Sequence, residues 1–244
     1  MFMSSPRPTD SAAPHRAKDT HRTAQPERAP RASVLCVRTC AVTAALSALL
    51  LAAVAVTWSP LISFDRAVVD ALHTSAVQEP TFTHVNRVLS DWVWDPWTMR
   101  LLSAAAAVWL WLRGERLLAV WVALASALGT GLQQGMKALV GRERPLWPDP
   151  VDSAHYAAFP SGHAMTAVVT CGLLLWLCRR RGMATGAWMW CVAVAGVSVV
   201  GVGFTRLYLG VHWPSDVVGG WLLGACVVAL AVASYGRVAL SRGH

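Results

Sequence analysis

Charged residues make up only 14% of this 244-residue chain, and acidic ones are the scarcer kind, 13 Asp and Glu against 21 Lys and Arg. So little charge beside 55% hydrophobic residues excludes an ordinary soluble domain. The six cysteines include no CxxC pair and no histidine partner at zinc spacing, which excludes a disulfide framework and a zinc site. They lie in or beside apolar runs and read as small buried residues, with palmitoylation at Cys36 or Cys40 as an alternative. No internal repeat is visible. The net charge of +8 would suit nucleic acid, yet the basic residues form no single patch. Seven of the 21 fall in the first 38 residues and most of the others stand between apolar runs. That pattern fits topology signals and anionic headgroups, so a bilayer and no nucleic acid is the expected partner.

What is abundant is apolar sequence in runs of near-spanning length. Six spans are expected, over about 36–58, 97–112, 117–138, 162–178, 185–203 and 217–235. Residues 36–238 then form an all-α, polytopic membrane protein, a six-transmembrane-helix bundle. Residues 1–35 are rich in Pro, Ser, Thr, Arg and Ala without a hydrophobic period, and predict a disordered basic cytoplasmic tail. Ala53-Val54-Ala55 resembles a signal-cleavage site, but the long basic leader argues for a retained first span. Between the first two spans, Leu61, Phe64, Val68, Val69 and Leu72, then Phe82, Val85 and Leu89, recur at near-helical spacing. They predict short helices on the outer surface. Trp58 anchors the end of the first span, and Trp92, Trp94 and Trp97 mark re-entry. The side bearing the tail, residues 113–116, 179–181 and the C-terminus carries 14 Lys and Arg, and the other side seven. The positive-inside rule therefore places both termini in the cytoplasm of a multi-pass cell-membrane protein. The loop 139–160 and the stretch 205–216 face outward together.

Three polar stretches meet at that outer face. The last runs Thr205-Arg206-Leu207-Tyr208-Leu209-Gly210-Val211-His212-Trp213-Pro214-Ser215-Asp216. Pro214 suits the first turn of a helix, where its missing N–H would be unpaired anyway. Asp216 then falls where the helix dipole favours a carboxylate. His212 lies four residues before it, within reach. A carboxylate on one ring nitrogen fixes the tautomer and leaves the other as a lone-pair nucleophile. Arg206 adds a forked cation suited to phosphate oxygens. The same residues also fit an interfacial loop with a hydrogen-bonded histidine and a snorkelling arginine.

The first stretch is Lys137-Ala138-Leu139-Val140-Gly141-Arg142-Glu143-Arg144-Pro145. If the third span continues this far, Lys137, Gly141 and Arg144 share one helix face. Two cations there repel unless an anion lies between them. Gln133 and Gln134, one turn earlier, would orient Lys137. Taken alone, the stretch is better explained by snorkelling side chains at a helix end, the commonest fate of such residues. The middle stretch is Phe159-Pro160-Ser161-Gly162-His163-Ala164, at the start of the fourth span. Ser161 suits an N-cap, Gly162 leaves the backbone approachable, and free N–H groups at a helix start attract an anion. His163 stands beside them as a donor; an ordinary cap next to an interfacial histidine is the plainer alternative.

Together Lys137, Arg144, Ser161, Gly162, His163, Arg206, His212 and Asp216 describe a phosphoryl site with a nucleophile on one side and an acid on the other. The pattern K-x6-RP, PSGH and [S/T]R-x5-H-x3-D resembles the type 2 phosphatidic acid phosphatase family, whose site is shared with the vanadium haloperoxidases. The resemblance covers about residues 60–235, with the motifs in the family's order. Thr205 departs from it, standing where the family usually has Ser, but keeps the hydroxyl.

The resemblance implies a two-step phosphatase that needs no metal or other cofactor. His212 would attack phosphorus to form a phosphohistidine while Asp216 holds its ring. His163 would protonate the leaving oxygen and then activate water. Lys137, Arg144, Arg206, Ser161 and the N–H of Gly162 would hold the phosphate oxygens. Three fixed cations make Mg²⁺ unnecessary, and Asp149 and Asp152 alone are a weak metal site. Aromatic residues Trp58, Trp147, Tyr156 and Trp213 around an outer-face site suit a membrane lipid phosphate as substrate. Polyprenyl diphosphate, phosphatidate and phosphatidylglycerol phosphate all qualify, the isoprenoid carrier being favoured because its recycling needs an outer-face phosphatase. The competing readings are phosphoryl transfer to a second lipid, a haloperoxidase, a non-catalytic lipid-binding or transport protein, and a purely structural membrane protein.

Overall fold

A computed structural model describes residues 28–241. Among them there are eight α-helices and no strand: α1 Arg28–Ala55, α2 Ser59–Gln78, α3 Pro80–Val88, α4 Pro96–Leu112, α5 Arg116–Val140, α6 Gly162–Arg180, α7 Thr185–Tyr208 and α8 Pro214–Ser241. A π-helical turn over Leu89–Val93 joins α3 to α4. The chain is an all-helical, polytopic membrane protein. Five helices, α1, α5, α6, α7 and α8, are long and apolar enough to cross a bilayer. The remaining expected span, 97–112, falls on α4, whose 17 residues reach about 26 Å at about 1.5 Å per residue, short of a hydrocarbon core of about 30 Å. Large side chains such as Leu49, Leu101, Leu112, Leu124, Val194 and Val200 point outward, as a lipid-facing surface requires.

Boundaries differ from expectation at several places. Helix α7 runs to Tyr208 instead of 203 and so carries Arg206 in its last turn, and α8 runs from Pro214 to Ser241 instead of over 217–235. Helix α1 begins at Arg28, so residues 28–35 of the expected disordered tail are helical. Ala and Arg are strong helix formers and extend the apolar helix backwards. The rest of that tail, residues 1–27, lies outside the described residues. The first span ends at Ala55, because Thr57 turns the chain at a positive φ of 50° and Trp58 caps α2. Most consequential, α5 stops at Val140 and Gly141 closes it in the left-handed conformation, φ 58°. Only Lys137 of the expected Lys137–Gly141–Arg144 face is therefore helical; Arg144 belongs to the loop beyond.

The core joins α4, α5, α6 and α8 through Leu110, Leu118, Val122, Met165, Leu173 and Val227. Helices α6 and α8 approach at backbone distance through small residues. A Cβ on Gly220 would lie 2.7 Å from the carbonyl oxygen of Ser161, and one on Gly224 3.0 Å from that of Met165. Four-residue glycine spacing permits this contact between membrane helices. It brings the starts of α6 and α8 together, where the Ser161 N–H donates to the Asp216 carbonyl at 2.9 Å. Gly220→Val should therefore push Ser161 away from Asp216. A loss of about 1–3 kcal/mol is expected, read as a lower unfolding temperature. Unchanged stability would show that the helices can part without cost.

The expected outer helices are present as α2 and α3. One face of α2 is buried through Asp65, Val69, His73 and Ala76, at helical spacing. On that face the loop between α5 and α6 is fastened. Trp147 stacks on His73, ring centroids 3.8 Å apart, and its Nε1 donates to the Gly210 carbonyl at 2.9 Å. Arg87 donates to the Val151 carbonyl, and the Ala158 N–H to the Arg142 carbonyl at 2.7 Å.

Candidate active site

The three motif stretches come together in one cavity of about 420 Å³. Lys137 from α5, Arg144 from the loop, Gly162 and His163 from α6, Arg206 from α7 and His212 from the α7–α8 turn all line it. Ser161 and Asp216 sit fully buried, each within a residue or a ring of that lining. A larger cavity of about 790 Å³, between α1, α2 and the end of α5, contains none of the eight expected residues.

Pro214 opens α8 as the sequence predicts, and Asp216 lies in its first turn. Asp216 Oδ2 accepts the Trp213 N–H at 2.9 Å and faces His212 Nδ1 at 3.4 Å. On the other side of the ring, His212 Nε2 lies 3.0 Å from Arg144 Nη1. A guanidinium can only donate, so Nε2 carries the lone pair and Nδ1 the proton. That is the tautomer a nucleophilic Nε2 needs. His212 is held well below the usual histidine range, first by burial, then by the charges of Arg144, Arg206 and Lys137.

Arg144 reaches His212 although it is not helical. Its Nη1 also donates to the Val211 carbonyl at 2.5 Å, its Nε to Tyr156 at 2.9 Å and its Nη2 to His155 at 3.1 Å. Burial and then Arg206 lower it to about 10, which leaves it charged at neutral pH. Arg206 is 3% exposed; Nη1 donates to Ser90 Oγ at 2.7 Å and lies 3.7 Å from Asp152. Its Nε is buried without a protein partner. Lys137 donates to the Ala157 carbonyl. Ser161 occupies the N-cap of α6, but its hydroxyl makes no capping bond and is buried without a partner. Gly162 opens the helix, so its N–H is among the donors with no intrahelical acceptor. A Cβ there would meet Gln133 Nε2 at 2.5 Å. Gln133 thus packs on Gly162 and accepts from Arg100 at 3.4 Å, where the sequence had assigned it to Lys137. Of the aromatic residues expected around the site, Tyr156 stands exposed on the cavity wall and Trp147 is committed to His73.

A family model described as the PAP2 superfamily matches residues 117–239. The chain belongs to the PAP2 superfamily. This PAP2 protein is 29% identical to an undecaprenyl-diphosphatase of Sulfolobus acidocaldarius over 58% of its own length and 63% of the relative's. It is 34% identical to a phosphatidylglycerophosphatase B of Bacillus subtilis, covering 38% and 46%, respectively. With a decaprenylphosphoryl-5-phosphoribose phosphatase of Mycobacterium tuberculosis it shares 39% over 39% and 49%. The PAP2 chain therefore spans roughly half to under two thirds of the length of these relatives. A crystal structure of a transmembrane PAP2-type phosphatidylglycerolphosphate phosphatase from Bacillus subtilis has the same fold. Its TM-score is 0.70 at 22% identity, over 82% of this chain and 97% of that one.

Two residues beside the PAP2 motifs escaped the sequence reading. Arg142, counted there only as a topology charge, donates from Nη1 to Asp216 Oδ1 at 2.6 Å and from Nη2 to Asp65 Oδ2 at 2.7 Å. Asp65, on α2, also accepts from the backbone N–H and hydroxyl of Ser215. The available signal was a carboxylate on the apolar face of α2, four residues from both Leu61 and Val69.

Proposed function

We propose that this protein is a metal-independent phosphatase of a lipid phosphate or diphosphate, acting through a phosphohistidine on His212. The observation that carries the reading is the neutral Nε2 lone pair beside three cations, with two buried donors, Ser161 Oγ and Arg206 Nε, left unpaired. Buried polar groups are normally satisfied, so unpaired ones beside cations fit a tetrahedral anion. His163 on the cavity wall is the general acid, then the base for water, and Asp216 orients His212. Lys137, Arg144, Arg206, Ser161 and the Gly162 N–H neutralise the transferring group, the part a divalent cation takes elsewhere. The relatives act, by their names, on polyprenyl and glycerolipid phosphates, which supports an amphiphilic substrate and favours polyprenyl diphosphate. The reading includes six spans, α4 among them, cytoplasmic termini and an outward-facing site in the cell membrane.

Full-length protein in detergent should release phosphate from polyprenyl diphosphate, phosphatidate or phosphatidylglycerol phosphate in EDTA as fast as without it. Release that disappears in EDTA and returns with a divalent metal would refute the metal-independent mechanism, and the panel ranks the substrates.

A further inference from the structure

Asp65 lies outside the residues matched by the family model and is fully buried. A buried carboxylate is costly unless paired and hydrogen-bonded. Asp65 is both: Oδ1 accepts the Ser215 N–H at 3.0 Å, and Oδ2 accepts Arg142 Nη2 at 2.7 Å and the Ser215 hydroxyl. Arg142 Nη1 in turn reaches Asp216 Oδ1 and Ser215 Oγ, both at 2.6 Å. The guanidinium thus bridges two carboxylates, and only one of them faces His212.

The charge count explains the arrangement. Arg142 alone would neutralise Asp216 and leave the imidazole without a counter-charge. With Asp65 on its second nitrogen, Asp65, Arg142 and Asp216 together carry one net negative charge. That charge matters when His212 Nε2 bonds to phosphorus and the bond to the leaving oxygen breaks. The ring is then positive, with its Nδ1 proton still directed at Asp216. The other groups converging on His212 are Lys137 of α5, Arg144 of the loop, His163 of α6 and Arg206 of α7; the cavity's remaining carboxylates, Asp91, Asp95 and Asp152, act on Arg206, which Asp152 approaches to 3.7 Å. We propose that Asp65 is a positioning residue of the nucleophile: through Arg142 it fixes Asp216 and keeps the support of His212 net negative.

The inference rests on His212 as nucleophile. Its test is the pH dependence of kcat/KM for phosphate release by the full chain in detergent. In Asp65→Asn the three-residue cluster becomes neutral. The acid limb should move down by about one unit, and kcat should fall about tenfold. The double variant Asp65→Asn with Arg142→Gln removes one charge of each sign, so its acid limb should return to the wild-type position whatever its rate. Ser215→Ala and Asp65→Glu keep every charge and should leave the limb in place. Substrate ionisation is common to all variants, so displacement of the limb belongs to the enzyme. A slower Asp65→Asn with an unmoved limb would make Asp65 merely structural and overturn the proposal. Should that variant not fold, a displaced limb in the double variant or in Asp65→Glu overturns it equally. Undiminished release by His212→Ala would show, separately, that the underlying mechanism is wrong.

Discussion

If His212 is the nucleophile proposed above, His212→Ala should stop phosphate release from every lipid substrate, a loss of about 10⁴-fold or more, because the proposed covalent step would have no other nucleophile. The deleted atom is the one bearing a lone pair beside Arg144, at 3.0 Å. Lys137, Arg144 and Arg206 remain, so inorganic phosphate should still raise the variant's unfolding temperature. Lost turnover with retained phosphate binding separates a missing nucleophile from a collapsed site. Substantial release by the variant would sink the assignment. The same residue sets the acid limb. A nucleophilic histidine works in its neutral form, so activity is present above its pKa and lost below it. Burial first, then Arg144, Arg206 and Lys137, push that pKa down. The acid limb of kcat/KM should therefore lie below the ordinary histidine value of about 6.5. A limb at or above that value would mean that the cations around the ring do not govern it.

His163→Ala should slow lipid phosphate hydrolysis by about 10²–10⁴-fold, the usual worth of a positioned acid–base group. The loss should depend on the leaving group. An activated aryl phosphate expels a weakly basic oxygen that needs little protonation, so its first step should be largely spared. Water activation in the second step is still lost. Phosphoenzyme should consequently accumulate with the aryl substrate, measured as an initial burst followed by slow turnover. An equal loss with both substrate types and no burst would remove His163 from proton transfer and leave it as a phosphate ligand.

Much of this molecule was legible because much of it is local. Apolar run length predicts where the spanning helices lie, since a span must satisfy its backbone within itself, although α1 starts at Arg28 instead of about 36 and α8 runs on to Ser241 instead of about 235. The helix start at Pro214, with Asp216 in its first turn, follows from proline's missing N–H and the helix dipole. The three motifs carried the eight expected residues for the same reason: each packs its chemistry into a dozen residues or fewer.

What lay beyond reach is non-local. Gly141 ends α5 in a left-handed turn, so Arg144 reaches His212 across 68 positions from a loop. Ser161 looked like a cap, yet its hydroxyl is withheld from the helix and left unpaired. Gln133 lies one turn from Lys137, but packing turns it to Gly162. Asp65 meets Ser215 across 150 positions, and nothing near either residue announces the other. Sequence alone determined the helices, their order and the inventory of reactive groups, because spacing and burial preference are written along the chain. The tertiary structure alone decided which nitrogen of His212 faces Arg144 and which carboxylates lie behind the ring, because hydrogen-bond partners are chosen by distance in space.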